Sequence, residues 1–333
     1  VTNNLMHSLF KSVEMSINNK VMTLNPQLYS YKSYFENMLG YTADSKLGLT
    51  TAWGYWNDSD VKESFDDDDN LMLMLTPATI DKTGKGKIID VCGKLHLDMC
   101  QQPKALIGNS KVNIKLIPNP KDFYLWTKTG VEIKDVKFIK SCLYVPKLKL
   151  NSMIVEAHNL ALAKSNAKYP IVRGEVKQIN LPSGQTDILI PNHFMGMLPR
   201  RIFVAFVNST AFHGHIEKNP YEFKNFNINY FTTYVNGSQV PSIPYTPDFE
   251  NNIFTREFLS VYETLNLINS DCYLNYERSF YKKGNTIFGV NFASDVCDDY
   301  MKTGYIDNRK IGSLGFHIKF KTVPTESIIM LVY

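Results

Sequence analysis

Cysteine is scarce in this chain, five residues in 333, and no two of them form a Cys-x-x-Cys pair. Cys92, Cys100, Cys142, Cys272 and Cys297 are odd in number, so a disulfide framework is not expected, and a reducing intracellular compartment is the simpler expectation. Charge is also thin: 20% of residues are charged and the net charge is only +4. It is spread evenly, with 20 Lys+Arg against 17 Asp+Glu in residues 1–165 and 16 against 15 in residues 166–333. A polyanion binder concentrates its positive charge, so no sequence-specific nucleic-acid binding is expected. The apolar runs are short, such as Ile202 to Val207 and Ile328 to Val332. Neither approaches the ~20 residues that span a bilayer, so no transmembrane segment is expected. The opening Val1-Thr2-Asn3-Asn4 lacks the basic start and apolar stretch of a signal peptide.

What the chain has in quantity is short strand patterns. Residues 13–17 alternate apolar and polar, Asn18-Asn19 offers a tight turn, and the alternation resumes over residues 21–24, which reads as a hairpin. Further runs stand at 88–97, 112–117, 136–145, 171–179, 188–190, 202–207, 228–235, 286–290 and 316–320. Turn signals such as Asn119-Pro120, Pro182-Ser183-Gly184, Asn219-Pro220 and Asn236-Gly237 separate them. Many short strands with this punctuation predict sandwiches or barrels rather than alternating βαβ units.

Three segments carry a helical period. Tyr31, Tyr34, Phe35 and Met38 fall on one face before Gly40; Ile154, Ala157 and Ala161 share a face behind a Ser152 cap; Phe258, Val261, Tyr262 and Leu265 follow a Thr255 cap. Each is expected to lay one apolar stripe on a sheet. Strand, Asn-containing turn, strand and helix recur in the same order around Asn18-Asn19 and around Asn236-Gly237. This weak repeat predicts a mainly β protein of two tandem β domains. The expected division is 1–151, a connector helix at 152–166, and 167–333. The second turn falls about 70 residues into a unit starting near Ala167, whereas the first lies at residue 18. Roughly fifty residues, enough for one or two strands, are therefore expected to be missing from the first copy.

The candidate chemistry is thin. His213 and His215 would share a strand face, as some metal sites require, but only Glu217 stands nearby, and a surface turn is the plainer reading. His96 and Asp98 make a similar pair, with Cys92 and Cys100 on the same parity, and an ordinary half-buried strand is expected there. Cys142 lies in an alternating stretch and reads as a small core residue. No Gly-x-Ser-x-Gly elbow is present, and Lys82 to Lys87 (Lys-Thr-Gly-Lys-Gly-Lys) lacks the phosphate-loop spacing. Asp66 to Asp69, close behind Asp58, Asp60 and Glu63, lacks EF-hand spacing and reads as a solvated loop. Asn57, Asn208 and Asn236 match glycosylation acceptors by chance. No catalytic, cofactor or metal site is predicted, and no enzyme.

A resemblance rests on particular residues. Asn3-Asn4-Leu5-Met6-His7-Ser8-Leu9-Phe10-Lys11-Ser12-Val13, then Ser16-Ile17-Asn18-Asn19 and residues 29–39 (Tyr-Ser-Tyr-Lys-Ser-Tyr-Phe-Glu-Asn-Met-Leu), resemble the major capsid proteins of Polinton (Maverick) elements and adintovirus-like viruses. Residues 196–207 (Gly-Met-Leu-Pro-Arg-Arg-Ile-Phe-Val-Ala-Phe-Val), Asn219-Pro220-Tyr221-Glu222-Phe223 and Tyr234-Val235-Asn236-Gly237 resemble the same family. The resemblance implies a double jelly roll: two tandem jelly-roll β-sandwiches with a few short connecting helices. It also implies homotrimeric, pseudo-hexagonal capsomers that meet neighbouring capsomers, penton and minor capsid proteins, assemble inside the host cell and end in the virion. On this reading Asp66 to Asp69 lie in an exposed loop, and Arg200 and Arg201 serve structural or intersubunit pairing. The alternative is a jelly-roll binding module such as a lectin or viral attachment protein; a cupin-type enzyme would need a His/Glu metal set that the chain does not offer.

Overall fold

The computed structural model describes residues 1–56, 88–108, 110–125, 136–293 and 311–333. Helix α1 (Leu5–Ser8) leads into strand β1 (Phe10–Ile17), which turns through Asn18-Asn19 into β2 (Lys20–Val21). A 3-10 turn over Pro26–Leu28 enters α2 (Tyr29–Gly40), followed by α3 (Ala43–Leu47) and a second 3-10 turn over Leu49–Trp53. Then come α4 (Asp98–Gln101), β3 (Val112–Pro118), α5 (Lys121–Tyr124) and α6 (Ser152–Lys164). Strands β1, β2 and β3 form one antiparallel sheet in the order β2-β1-β3, with Met15 opposite Ile114. Val13 and Met15 sit under this sheet with Tyr29, Leu97 and Met99 as a small core.

The second half supplies eight strands: β4 (Lys177–Leu181), β5 (Asp187–Met197), β6 (Arg201–Asn208), β7 (Ile228–Val235), β8 (Ser238–Tyr245), β9 (Ile287–Asn291), β10 (Ile311–Phe320) and β11 (Ile328–Val332). Three helices join them: α7 (Ser209–His213), α8 (Thr255–Thr264) and α9 (Arg278–Lys282). The strands make two four-stranded antiparallel sheets, β5-β10-β7-β8 and β4-β11-β6-β9. Counted within the unit, the first, eighth, third and sixth strands face the second, seventh, fourth and fifth. That interleaving is the jelly-roll order.

The run Ile202 to Val207 is apolar on both faces because β6 is covered on both. Ile202, Val204 and Phe206 point into the sandwich, whereas Phe203, Ala205 and Val207 point outward into a second core shared with α2 and α8. β11 divides in the same way, Ile328, Met330 and Val332 inward and Ile329 and Leu331 outward. Gly289 on β9 lets α8 approach: a Cβ there would sit 2.6 Å from the Ser260 carbonyl oxygen and 2.6 Å from Thr264 Oγ1. Both predicted hairpins are present. Asn18 and Asn19 take φ 49° and 66°, Asn236 and Gly237 take 51° and 82°, and two left-handed central residues are what the right-handed twist of a tight hairpin needs.

Some strand and cap expectations are corrected. Residues 88–97 and 136–145 are irregular, and the predicted run at 171–179 narrows to β4. Alternation becomes a strand only where a neighbour completes its ladder. Along 136–145 none does among the described residues, and Ile139, Leu143, Tyr144 and Val145 lie exposed. Asn151 rather than Ser152 caps α6, accepting from the Met153 N–H at 3.1 Å, and Thr255 is the first residue of α8 rather than its cap. α6 lays no stripe on anything among the described residues: all of its residues are exposed. α2 shows the opposite departure. It is buried nearly all round, Lys32, Ser33 and Asn37 included.

Candidate functional site

The richest concentration of buried side chains is the joint around α2, where the two β units meet. Its aromatic face stacks on residues brought by the jelly roll: Tyr34 on Tyr221 at 4.2 Å and 7°, Phe35 on Phe223 at 5.2 Å and on Tyr333 at 5.5 Å, Tyr31 on Phe212 at 5.2 Å. Such pairs add ~0.5–1.5 kcal/mol each beyond the area they bury. The Tyr221 hydroxyl lies 2.5 Å from Ser8 Oγ, so α1 is tied to the jelly roll as well.

The opposite face of α2 is a buried polar network, which is costly unless every group is paired. Asn4, left-handed at φ 59°, donates from Nδ2 to Ser33 Oγ at 2.9 Å and accepts at Oδ1 from Asn37 Nδ2 at 2.9 Å. Asn3 brackets Trp56, donating to its carbonyl at 2.7 Å and accepting from its N–H at 3.1 Å. The Tyr29 hydroxyl meets His7 Nδ1 at 2.9 Å and accepts from the His96 N–H at 3.3 Å. His96 Nδ1 lies 2.6 Å from Glu36 Oε2, which also accepts from Gln101 Nε2 at 2.8 Å. Lys32 pairs with Asp98 and sits 3.7 Å from Glu36. Burial, then mutual repulsion and Lys94, holds the His7 pKa well below the usual imidazole range; His96 is also lowered, burial outweighing Glu36. Glu36 is lowered on balance, its bonds to His96 and Lys32 outweighing burial.

A third fastener is Lys46 on α3. Its ammonium is buried and donates to the Met38 carbonyl at 2.7 Å and to the Leu274 carbonyl at 2.6 Å. No carboxylate among the described residues offsets the burial, which pushes its pKa down to about 7. One lysine thus closes the end of α2 and a loop of the jelly-roll unit together.

The structure scatters most of the residues singled out from sequence. His213 ends α7 and His215 lies in the following turn, accepting at Nδ1 from the Glu217 N–H at 3.2 Å, so they share no strand face. His96 and Asp98 do come to one place, but as partners of Glu36 and Lys32, while Cys92 and Cys100 are exposed. Cys142 is exposed in the irregular 136–150 stretch and is not a core residue. Among the described residues no group of three His, Cys, Asp or Glu could hold a metal ion. Arg201 opens β6 and donates to the Thr264 carbonyl at 3.0 Å within the same chain. Asn208 caps α7, and Asn236 accepts from the Ser313 N–H at 2.9 Å, so both amides have structural work. Asp66 to Asp69, Lys82 to Lys87, Asn57 and Cys297 lie outside the described residues. Sequence reasoning missed His7, Glu36 and Lys46; the available signal was Asn3-Asn4 and His7 set beside the apolar Leu5, Met6, Leu9 and Phe10.

Strand order and joint define a mainly β protein built on an antiparallel jelly roll, with a second antiparallel unit fastened to one sheet through α2. No described helix is long and apolar enough to cross a membrane. No family model matches the chain. It is 28% identical over 302 residues to an uncharacterized protein of Caenorhabditis elegans, a match covering 89% of this chain and 69% of that protein. Among solved structures it is similar to a chain of the PBCV-1 virus capsid (quasi-atomic model), with a TM-score of 0.40 and 8% identity over 99% of this chain and 81% of that one. That likeness is too weak to carry an argument.

Proposed function

We propose that the protein is a structural subunit of a viral-type shell, a major capsid protein of the Polinton and adintovirus kind, working as a homotrimer with a pseudo-hexagonal outline. The observation that carries this reading is an internal correspondence. The order β2-β1-β3 repeats β8-β7-β10, and in each unit the hairpin turns through an Asn-containing pair and runs on to a packed helix, α2 or α8. A chain with two such units places six similar modules around a threefold axis, and six modules tile a surface. Rigid walls, a fastened joint and no assembled catalytic group among the described residues suit that task. The sequence blocks that resemble the capsid family fall on α1, β1, α2, β6 and the β7–β8 turn, which are elements of the joint and of the repeat.

The domain division 1–151, 152–166 and 167–333 belongs to the same proposal. In the jelly-roll unit β10 is flanked by β5, and β11 by β4 and β6. Strand β3 stands in the place of β10, and the exposed residues 136–145 follow it as β11 follows β10. The counterparts of β4, β5 and β6 are absent among the described residues, and they precede β7 in the chain. The exposed apolar side chains of α6, Met153, Ile154, Val155 and Leu160, are assigned to subunit contact. Negative-stain electron microscopy of the purified protein tests the proposal: hexagonal, threefold particles are expected, and globular monomers at high concentration would refute it.

A further inference from the structure

We propose that His7 and His96 form an acid-operated latch on the joint between α1, α2 and the segment ending in α4. Their rings lie 4.6 Å apart at 82°, both buried, and neither Nε2 atom has a hydrogen-bond partner. We assign the Tyr29 hydroxyl as acceptor of the His96 backbone N–H and donor of a hydrogen bond to His7 Nδ1, which puts the proton of neutral His7 on Nε2. The Glu36 carboxylate accepts a hydrogen bond from His96 Nδ1–H, which leaves an uncovered lone pair on Nε2 of the neutral ring.

Acid has two places to go and both disturb this arrangement. A proton on His7 Nδ1 displaces the Tyr29 donation and leaves that hydroxyl between two donors. A proton on His96 Nε2 sets a cation against the face of His7. The groups around His7 are Tyr29 from α2, Trp53 from the second 3-10 turn, and His96 and Lys94 from the segment before α4; none is an acid. Around His96 stand His7 from α1, Tyr29, Lys32 and Glu36 from α2, and Lys94 and Gln101 from its own segment. Glu36 is the one carboxylate facing His96 among them, and it is already shared with Gln101 and Lys32; Asp98 is taken by Lys32. Burial and the neighbouring cations depress both imidazoles, the same direction the geometry requires. Two cations at this separation repel strongly in a dry site.

The sign follows from linkage. With folded-state pKa values below the unfolded value of ~6.5, the two histidines cost the folded state nothing above pH 7 and weaken it as pH falls through ~6.5, because the unfolded chain then binds the protons. Each histidine raises the unfolding constant by up to about tenfold per pH unit, so the pair gives up to about a hundredfold. The consequence is a joint that holds at neutral pH and loosens in mildly acidic surroundings, whatever the protein assembles into.

Denaturant unfolding of the purified protein and of His7→Gln, followed between pH 7.5 and 5.5, tests the latch; glutamine keeps a carbonyl for the Tyr29 hydroxyl but does not titrate. The wild type should lose stability steeply below pH 6.5, and His7→Gln should remove up to about tenfold per pH unit of that loss. Equal slopes in the two proteins would overturn the proposal. Should His7→Gln fail to fold, the ring carbon shifts of wild-type His7 by NMR decide: the ring should stay neutral in the folded protein at pH 6, and a folded-state pKa of ~6.5 or above would overturn it.

Discussion

The two antiparallel units share a hairpin, a turn chemistry and a following helix, yet they bury their strands very differently. On β10, Phe316 and Ile318 are fully buried between two neighbouring strands and a facing sheet; on β3, Leu116 and Ile117 are 42% and 41% exposed. The difference lies in the surroundings more than in the strands, since β3 carries Val112, Ile114, Leu116 and Ile117 as β10 carries Leu314, Phe316 and Ile318. It teaches that strand propensity writes the local element, while stability comes from what covers it.

The largest test of that contrast is a pair of truncations. Phe206→Ala, in the middle of the sandwich, should cost ~3–5 kcal/mol by denaturant unfolding, whereas Leu116→Ala should stay within ~0.5 kcal/mol. A comparable loss at Leu116 would mean that β3 is covered in solution and would erase the contrast.

Lys46 gives the next effect, at the joint. A lysine whose folded pKa is about 7 against ~10.4 unfolded makes the folded state bind fewer protons between these values. Stability of the wild type should therefore rise by up to ~1.4 kcal/mol per pH unit above pH 7.5, and Lys46→Met should flatten that rise. Parallel profiles for the two proteins would show that Lys46 stays charged against its two carbonyls.

Smaller still is Tyr221→Phe, which removes the bond to Ser8 but keeps the stack on Tyr34. Thermal or denaturant unfolding should register a loss of ~1 kcal/mol. At the hairpins, Gly237→Ala and Asn19→Ala should each cost about 0.5–1 kcal/mol: φ 82° disfavours the Cβ that alanine adds at Gly237, and at φ 66° alanine lacks the short polar side chain that lets asparagine adopt the left-handed region. Near-equal costs would mark the turns as local devices that serve both units alike; a much larger cost in the jelly roll would tie its turn to the packing around Ser313.

What was legible in the sequence was local or periodic. Asn18-Asn19 and Asn236-Gly237 announce their turns, the short strand patterns find β1, β6 and β7, and Tyr31, Tyr34, Phe35 and Met38 mark the packed face of α2. The jelly-roll expectation also holds for the second unit, where the strand order itself displays it. The joint was not legible because its bonds cross long stretches of chain: Glu36 meets His96 across 60 residues and Lys46 meets the Leu274 carbonyl across 228. Nothing in the neighbours of His7 or Lys46 foretells these partners. Residues 136–145 mislead in the opposite way, since they alternate but no strand among the described residues pairs with them.

The mass of the purified protein in solution, by light scattering coupled to size exclusion, tests the shell-subunit account most directly. The account predicts a stable species of three chains; a monomer that persists at high concentration would contradict it.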